Sequence, residues 1–159
     1  MFHPFPEPFE AAIGPLLEAL PLDEAMSQLV VREEGPTGVV QRLVQSPVFA
    51  AHAPLQAGLW LYVDRLDRSH EISQAMDDAT GSFWHAIMHR REGDFGNSHY
   101  WFRRAGNHPA MKLMEDYDAH AFIDAVEVAH RKGAADEELI QMQRGEWFVL
   151  MRWCMEQAK

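Results

Sequence analysis

The longest helical pattern in the chain lies at residues 136–154, which read Asp-Glu-Glu-Leu-Ile-Gln-Met-Gln-Arg-Gly-Glu-Trp-Phe-Val-Leu-Met-Arg-Trp-Cys. Asp136 is of the residue type that caps helix N-termini, and large apolar residues follow it on nearly every side of the predicted helix. A helix that is apolar all round is usually buried all round. We therefore expect this segment to be the central helix of the domain.

A second helical pattern begins at Pro54, which suits the first turn of a helix because its missing N–H is not needed there. Apolar residues recur from there at three- and four-residue steps as far as Leu66. Asp64 and Arg68 are predicted to pair on the opposite side of this helix. His70 continues the apolar stripe and is predicted to point inward.

The remaining helical patterns are shorter and are separated by glycine and proline. They cover residues 7–20, 22–33, 38–45, 83–91, 99–104 and 122–130. Thr80 or Ser82 is predicted to cap the helix at 83–91, and Asn97 or Ser98 the helix at 99–104. Strand patterns are scarce, because β-branched residues are few and no apolar–polar alternation is sustained.

These patterns predict an all-α protein, with residues 1–159 forming a single bundle-like domain of about six to eight helices. Residues 1–9 carry proline at positions 4, 6 and 8 and phenylalanine at positions 2, 5 and 9. This composition indicates an extended N-terminal arm. We expect the arm to pack on its own domain or on a neighbour's.

Composition excludes several classes of function. The 24 acidic residues outnumber the 14 basic ones, and a net charge of −10 argues against a nucleic-acid partner. No apolar run is long enough to span a membrane, and the N-terminus does not read as a secretory signal. The single cysteine, Cys154, fits a reducing cytoplasm and is predicted to be an inert core residue. Dinucleotide and phosphate-loop fingerprints are missing, which excludes the common nucleotide enzymes.

Charge and histidine are concentrated in residues 85–108. This segment holds four arginines against Glu92 and Asp94, so it is positively charged within an acidic chain. It also holds four of the nine histidines. Helix packing alone gives no reason for this concentration, so the segment is the best place in the sequence to look for a site.

His85, His89 and Glu92 have the spacing that would suit a metal site. At i, i+4 and i+7 they lie on one helical face, where two imidazoles and a carboxylate converge. His70 would add a ligand from the preceding helix. Such a set suits Zn²⁺, Ni²⁺ or Fe²⁺ as a divalent metal cofactor. The alternative is that the histidines are half-buried polar residues bonded to the backbone or to carboxylates.

A second group of residues in or near this segment would suit a small anionic ligand. Arginine clamps carboxylates and phosphates, and a capped helix start adds N–H donors. The candidate ligand-binding residues are Arg90, Asn97, Trp101, Arg103, His108 and Glu146. The alternative for the arginines is an internal ion-pair network with the surplus acids. Glu146 falls on the buried line of the last helix, where a carboxylate needs a partner unless it is solvated at a boundary.

The residues quoted above carry a resemblance. His89-Arg-Arg-Glu92 and Tyr100-Trp-Phe-Arg-Arg104 resemble the signature of an uncharacterised family of bacterial and fungal proteins, which has no assigned activity. The resemblance extends over about residues 55–155, including Phe122-Ile-Asp and Glu146-Trp147. The chain is more loosely similar to helical bundles of the DinB type, which bind a divalent metal through three histidines on two helices. That similarity implies His70, His85 and His89 as ligands.

Two functions follow as hypotheses. In the first, an internal pocket of histidine, arginine and glutamate binds a divalent metal or a small anion. If the protein is an enzyme, metal-assisted hydrolysis or thiol transfer is then the expected class. In the second, the protein is a structural or protein-interaction module, and its polar cluster is a buried network of hydrogen bonds and ion pairs. The aromatic arm would then serve a protein partner or a homodimer.

Overall fold

The computed structural model describes residues 5–134 and 136–158, which form eight α-helices and one 3-10 helix and contain no β-strand. This confirms the predicted all-α fold class. The helices are α1 (Phe9–Ala19), α2 (Gly38–Gln45), α3 (Ala53–Tyr62), α4 (Leu66–Ser73), α5 (Ala79–Glu92), α6 (Phe95–Ala105), α7 (Ala119–Arg131) and α8 (Glu137–Gln157), and the 3-10 helix is Pro109–Leu113. No helix of the described part is long and apolar enough to cross a membrane.

The central helix is α5, which corrects the expectation that α8 would be central. Twelve consecutive residues of α5, from Thr80 to Arg91, are buried, and the helix packs against α3, α4 and α6. Helix α8 instead keeps one exposed face, on which Met142 is 44% exposed. The sequence did not indicate that α5 is central, because this helix carries histidine and arginine residues. Their side chains are buried, and their polar atoms contact neighbouring helices.

Helix α5 begins and ends at defined capping residues. The Asp78 carboxylate accepts a hydrogen bond of 2.7 Å from the Gly81 backbone N–H, and Gly93 ends the helix in the left-handed conformation at φ +86°. The predicted caps Thr80 and Ser82 are wrong, since both residues lie inside the helix. An aspartate two residues before Thr80 already supplies the acceptor.

Helix α6 shows the same kind of correction. Asp94 caps it by accepting from the Asn97 N–H at 3.2 Å, so α6 starts four residues earlier than the predicted 99–104 helix. Asn97 and Ser98 are helical residues, not caps. The Ser98 hydroxyl donates to the Ala86 carbonyl at 2.7 Å, which ties α6 directly to α5.

The single helix predicted from Pro54 to beyond Leu66 is two helices. The chain breaks at Asp64, whose backbone is left-handed at φ +59°. Asp64 pairs with Arg91 instead of the predicted Arg68, whose guanidinium lies over Trp60. A contact from a distant helix therefore overrides the local periodicity at this point.

The predicted helix at residues 22–33 is wrong. Residues 20–37 run as irregular turns between α1 and α2. Side chains from α5 and α8 donate to carbonyls that a helix would use internally: Arg144 to Ala25, Gln143 to Met26, and Arg91 to Gln28. These contacts satisfy buried backbone carbonyls and hold the segment in its irregular, non-helical path.

The helices predicted at residues 38–45 and around 122–130 and 136–154 are confirmed by α2, α7 and α8. The predicted 7–20 helix is present as α1. Of the predicted arm at residues 1–9, residues 1–4 lie outside the described part of the chain, and Phe9 belongs to α1. Phe5 is buried against Trp147 and Phe148, so this part of the arm packs on its own domain.

Close packing between α3, α5 and α8 builds the core beneath the site. A Cβ atom at Gly58 would lie 2.7 Å from the Met151 Sδ and 2.9 Å from the Trp84 ring, so any other residue there would force these side chains to move. The Trp147 indole N–H donates to the Gly58 carbonyl at 2.7 Å. This rigid packing fixes α5 against the bundle and so positions its polar residues.

Candidate functional site

His70, His85 and His89 come together at the contact between α4 and α5. One ring nitrogen from each lies within 4.8 Å of the others. His85 and His89 share a face because they are one helical turn apart, and the packing of α4 on α5 brings His70 against both. The sequence predicted the shared face of the two residues on α5 and named His70, on the preceding helix, as a third candidate, and the packing of α4 on α5 brings all three together.

His85 is the most buried of the three histidines, at 4% exposed. Its ring stacks on Trp101 of α6, with centroids 3.9 Å apart and planes 13° from parallel. Burial, and secondarily the neighbouring His89 and His70, lowers the pKa of His85 to about 4. The ring is therefore neutral at pH 7. Its buried Nδ1 has no hydrogen-bond partner in the described chain.

Glu92 orients the ring of His89. The Glu92 Oε1 lies 2.6 Å from the His89 Nδ1, and the Glu92 side chain is 41% exposed. An ionised carboxylate only accepts, so in the neutral tautomer that fits this contact the His89 ring carries its proton on Nδ1 and leaves a lone pair on Nε2. Glu92 thus contacts His89, and its role as a metal ligand stays a prediction.

Asp94 approaches the same histidine. His89, Glu92 and Asp94 form a second group whose potential ligand atoms lie within 4.8 Å of one another. The Asp94 carboxylate is already bonded to the Asn97 side chain at 2.7 Å, and this bond is the main reason that its pKa is lowered. Asp94 is therefore held by its capping role in α6.

Arg90 and Glu146 were predicted as ligand-binding residues, and the structure places both in a closed, buried network between α5 and α8. The Arg90 guanidinium spans both carboxylate oxygens of Glu146 and lies 4.3 Å above the Phe122 ring. The Tyr117 hydroxyl donates to the same carboxylate at 2.6 Å. Arg90 and Tyr117 thus supply the hydrogen-bond donors that Glu146 needs. This network lies on a different side of α5 from the histidines.

The other predicted ligand residues are distributed around α6 and the chain that follows it. Trp101 lies directly against the histidine cluster, whereas Asn97 is bonded to Asp94. Arg103 is exposed and forms no ion pair with the described residues. His108 is buried, accepts from the Ala110 N–H at 3.1 Å and bonds the Thr80 hydroxyl at 2.9 Å. The structure does not bring these four residues into one pocket.

Arg91 lies next to Arg90 in the chain and fills a different role. Its guanidinium donates to the Asp64 carboxylate at 2.6 Å and to the carbonyls of Leu61 and Gln28. Full burial lowers the pKa of Arg91, an effect that the Asp64 carboxylate opposes. Arg91 therefore joins α5, the α3–α4 break and the 20–37 segment.

Sequence reasoning missed a hydrogen-bonded chain between α6 and α7. Asp124 Oδ1 lies 3.0 Å from the His99 Nε2, and the His99 Nδ1 lies 2.7 Å from the His120 Nδ1. Since the carboxylate only accepts, the neutral rings must carry protons on the His99 Nε2 and the His120 Nδ1. His120 and Asp124 share a face of α7, but only the packing of α6 on α7 brings His99 to them.

Comparisons of the chain with models of protein families, with curated proteins and with solved structures found no match. The two resemblances described from the sequence therefore stay predictions.

Proposed function

We propose that the protein binds a divalent metal ion through His70, His85 and His89. The observation that carries the proposal is the convergence of three ring nitrogens within 4.8 Å. Coordination at about 2.0–2.1 Å from each nitrogen would bring them somewhat closer together, which side-chain rotation can supply. Three imidazoles with an open position suit Zn²⁺, Ni²⁺ or Fe²⁺.

The chemistry of the donors supports the proposal. A metal ligand must be a neutral imidazole, and the lowered pKa of His85 keeps that ring neutral. Histidine ligands commonly donate their second N–H to a carboxylate, which is the relation between His89 and Glu92. The unpartnered, buried Nδ1 of His85 gives this ring a nitrogen that the protein leaves unsatisfied. A bound ion would supply Lewis-acid chemistry beside Trp101.

Metal binding is tested on protein purified without an affinity tag, by elemental analysis and by isothermal titration with Zn²⁺ and Ni²⁺. We expect one ion per chain, lost in His70→Ala, His85→Ala and His89→Ala. His130→Ala is the matched control, because His130 lies beside Phe95 and outside the cluster. Less than about 0.1 ion per chain after growth in metal-replete medium contradicts a coordinated site.

The alternative is that the protein is a structural module. The Arg90–Glu146 and Arg91–Asp64 ion pairs favour this alternative, because both pairs join elements of the fold. If the histidines belong to the same architecture, His89→Ala should cost about 2–4 kcal/mol and metal should change no melting temperature. Under the metal proposal, the variant costs about 1 kcal/mol, because among the described residues the only hydrogen-bond partner of His89 is the half-exposed Glu92. Thermal melts with and without Zn²⁺ distinguish the two.

A further inference from the structure

Helix α8 presents a continuous exposed stripe along its whole length. Its members lie three or four residues apart, except for the adjacent Gln141 and Met142, and all are exposed except Val149, which is half-buried: Glu138, Gln141, Met142, Gly145, Val149, Arg152 and Glu156. The stripe is apolar in the middle and charged at both ends. A helix of this length extends for roughly 30 Å, long enough for a partner helix to lie along it.

Grooves run along both sides of the stripe at its midpoint. One groove, of about 540 Å³, lies between Leu22 and Gly145. The other, of about 220 Å³, lies between Gly145 and the strongly exposed Leu113. Paired grooves beside a helix accept the ridges of a second helix. The two grooves therefore match a helical partner that crosses α8 near Gly145.

Gly145 is not required by the packing of the chain itself. A Cβ atom there would meet no heavy atom within 4 Å, in contrast to Gly58, where it would clash. Glycine inside a helix costs about 0.5–1 kcal/mol relative to alanine, so its position needs a reason. Openness alone does not single out Gly145, since Gly14 and Gly96 are also open. Gly145 differs from those glycines because grooves flank it and because charged residues are arranged on either side of it.

The charges select the partner and its direction. Glu138 and Arg152 stand seven residues before and after Gly145, and Arg152 also pairs within its own chain with the half-exposed Glu156. If a second copy of α8 crosses the first antiparallel at Gly145, each Glu138 faces Arg152 of the other copy, and opposite charges meet twice. A parallel crossing would set Glu138 against Glu138 and Arg152 against Arg152. We propose that this face of α8 is the interface of a two-fold symmetric homodimer, centred on Gly145.

Gly145 gives the first test, because a side chain there disturbs the interface and not the monomer. In multi-angle light scattering and sedimentation at about 100 µM chain, where a micromolar complex is almost fully formed, we expect twice the chain mass of 18.2 kDa. Gly145→Gln should raise the dimer dissociation constant at least about tenfold, and at dilutions where both proteins are monomeric its melting temperature should be unchanged or higher. Val128→Gln, at an exposed apolar residue of α7, is the control and should leave the mass unchanged.

The charge pattern gives the second test. Glu138→Arg and Arg152→Glu should each weaken the dimer by about tenfold, and the double variant should restore it, because the pairs re-form with opposite sign. A monomeric wild type overturns the proposal. A dimer that persists in Gly145→Gln also overturns the proposal, because its interface must then lie elsewhere. This holds whether or not deletion of residues 1–4 dissociates that dimer. Metal titration of Gly145→Gln is unaffected in either case, so this test is independent of the proposed metal site.

Discussion

The Arg90 guanidinium and the Glu146 carboxylate form a bidentate ion pair, with Nη1 3.0 Å from Oε2, Nη2 2.8 Å from Oε1, and both side chains at most 1% exposed. The pair joins the central helix α5 to α8. A buried ion pair adds little net stability over a well-packed apolar pair, yet removing one partner leaves the other charged and uncompensated. The first prediction follows from this asymmetry.

We expect Glu146→Leu to lower the free energy of unfolding by about 3–5 kcal/mol, because it leaves Arg90 charged in the interior. The double variant Arg90→Met, Glu146→Leu should recover much of the loss. Glu156→Gln is the control, since the Arg152–Glu156 pair is about half exposed and its loss should cost less than about 1 kcal/mol. Urea unfolding measures all three. Equal costs for Glu146→Leu and Glu156→Gln would refute the assigned role of Arg90.

Asp64 and Asp116 allow backbone strain to be separated from charge pairing. Both have left-handed backbones, at φ +59° and +56°, but in the described part of the chain only Asp64 has an arginine partner. Asparagine tolerates this conformation, so Asp→Asn removes charge without new strain. Asp64→Asn should cost about 1.5–3 kcal/mol through the weakened bond to Arg91, and Asp116→Asn less than about 0.5 kcal/mol. Comparable losses in urea unfolding would mean that the Arg91 pair contributes nothing.

Glu92 provides a prediction that depends on the proposed metal site. Glu92→Gln should weaken metal binding by about 10–100-fold, because the amide holds the His89 ring less firmly in the required tautomer. Its effect on unfolding should stay within about 0.5 kcal/mol, as for other half-exposed residues. Glu115→Gln, an exposed residue outside the cluster, is the control. Calorimetric titration measures the affinity, and unchanged binding in Glu92→Gln would place Glu92 outside the site.

His108 makes stability depend on pH, independently of the histidine cluster. Burial lowers its pKa below the ordinary value of 6.5. As the pH falls below 6.5, the unfolded chain takes up a proton at His108 while the folded protein does not, so the free energy of unfolding decreases. The loss is complete once the pH passes below the pKa of the folded state.

The matched variant for this prediction is His108→Asn, whose amide oxygen can still accept from the Ala110 N–H. It loses ring contacts with Phe83 and Trp153, so it should be less stable than wild type at neutral pH. It cannot titrate, so the difference between the two proteins should shrink on acidification. Urea unfolding at about pH 7.5 and about pH 5 measures this, and a constant difference would contradict the assigned pKa direction.

The elements predicted best were those whose signals are local. Helices α2, α7 and α8 were predicted because their apolar spacing and flanking residues, such as Asp136 and Gly133, act within a few residues of the helix. The i, i+4 spacing of His85 and His89 is equally local, so their shared face could be predicted. The caps of α5 and α6 were misplaced because Asp78 and Asp94 compete with nearby residues of the same capping type.

The elements predicted worst were those set by distant contacts. Asp64 breaks the α3–α4 pattern because Arg91 holds its carboxylate, and residues 20–37 are not helical because side chains of α5 and α8 bond carbonyls in this segment. The residues that make these contacts cannot be recognised from the local sequence, because tens of positions in the chain separate the two partners of each contact.

Amino-acid order alone therefore predicted an all-α chain, most of its helices and a histidine-bearing face on α5, because helix periodicity needs only neighbouring residues. The tertiary structure decided which polar residues meet. It set His70 against His85 and His89, and it closed Arg90 onto Glu146, away from the histidines. The physical reason is that an unpaired buried polar group costs free energy, so most buried polar groups have a partner, and helix packing determines which partner is within reach.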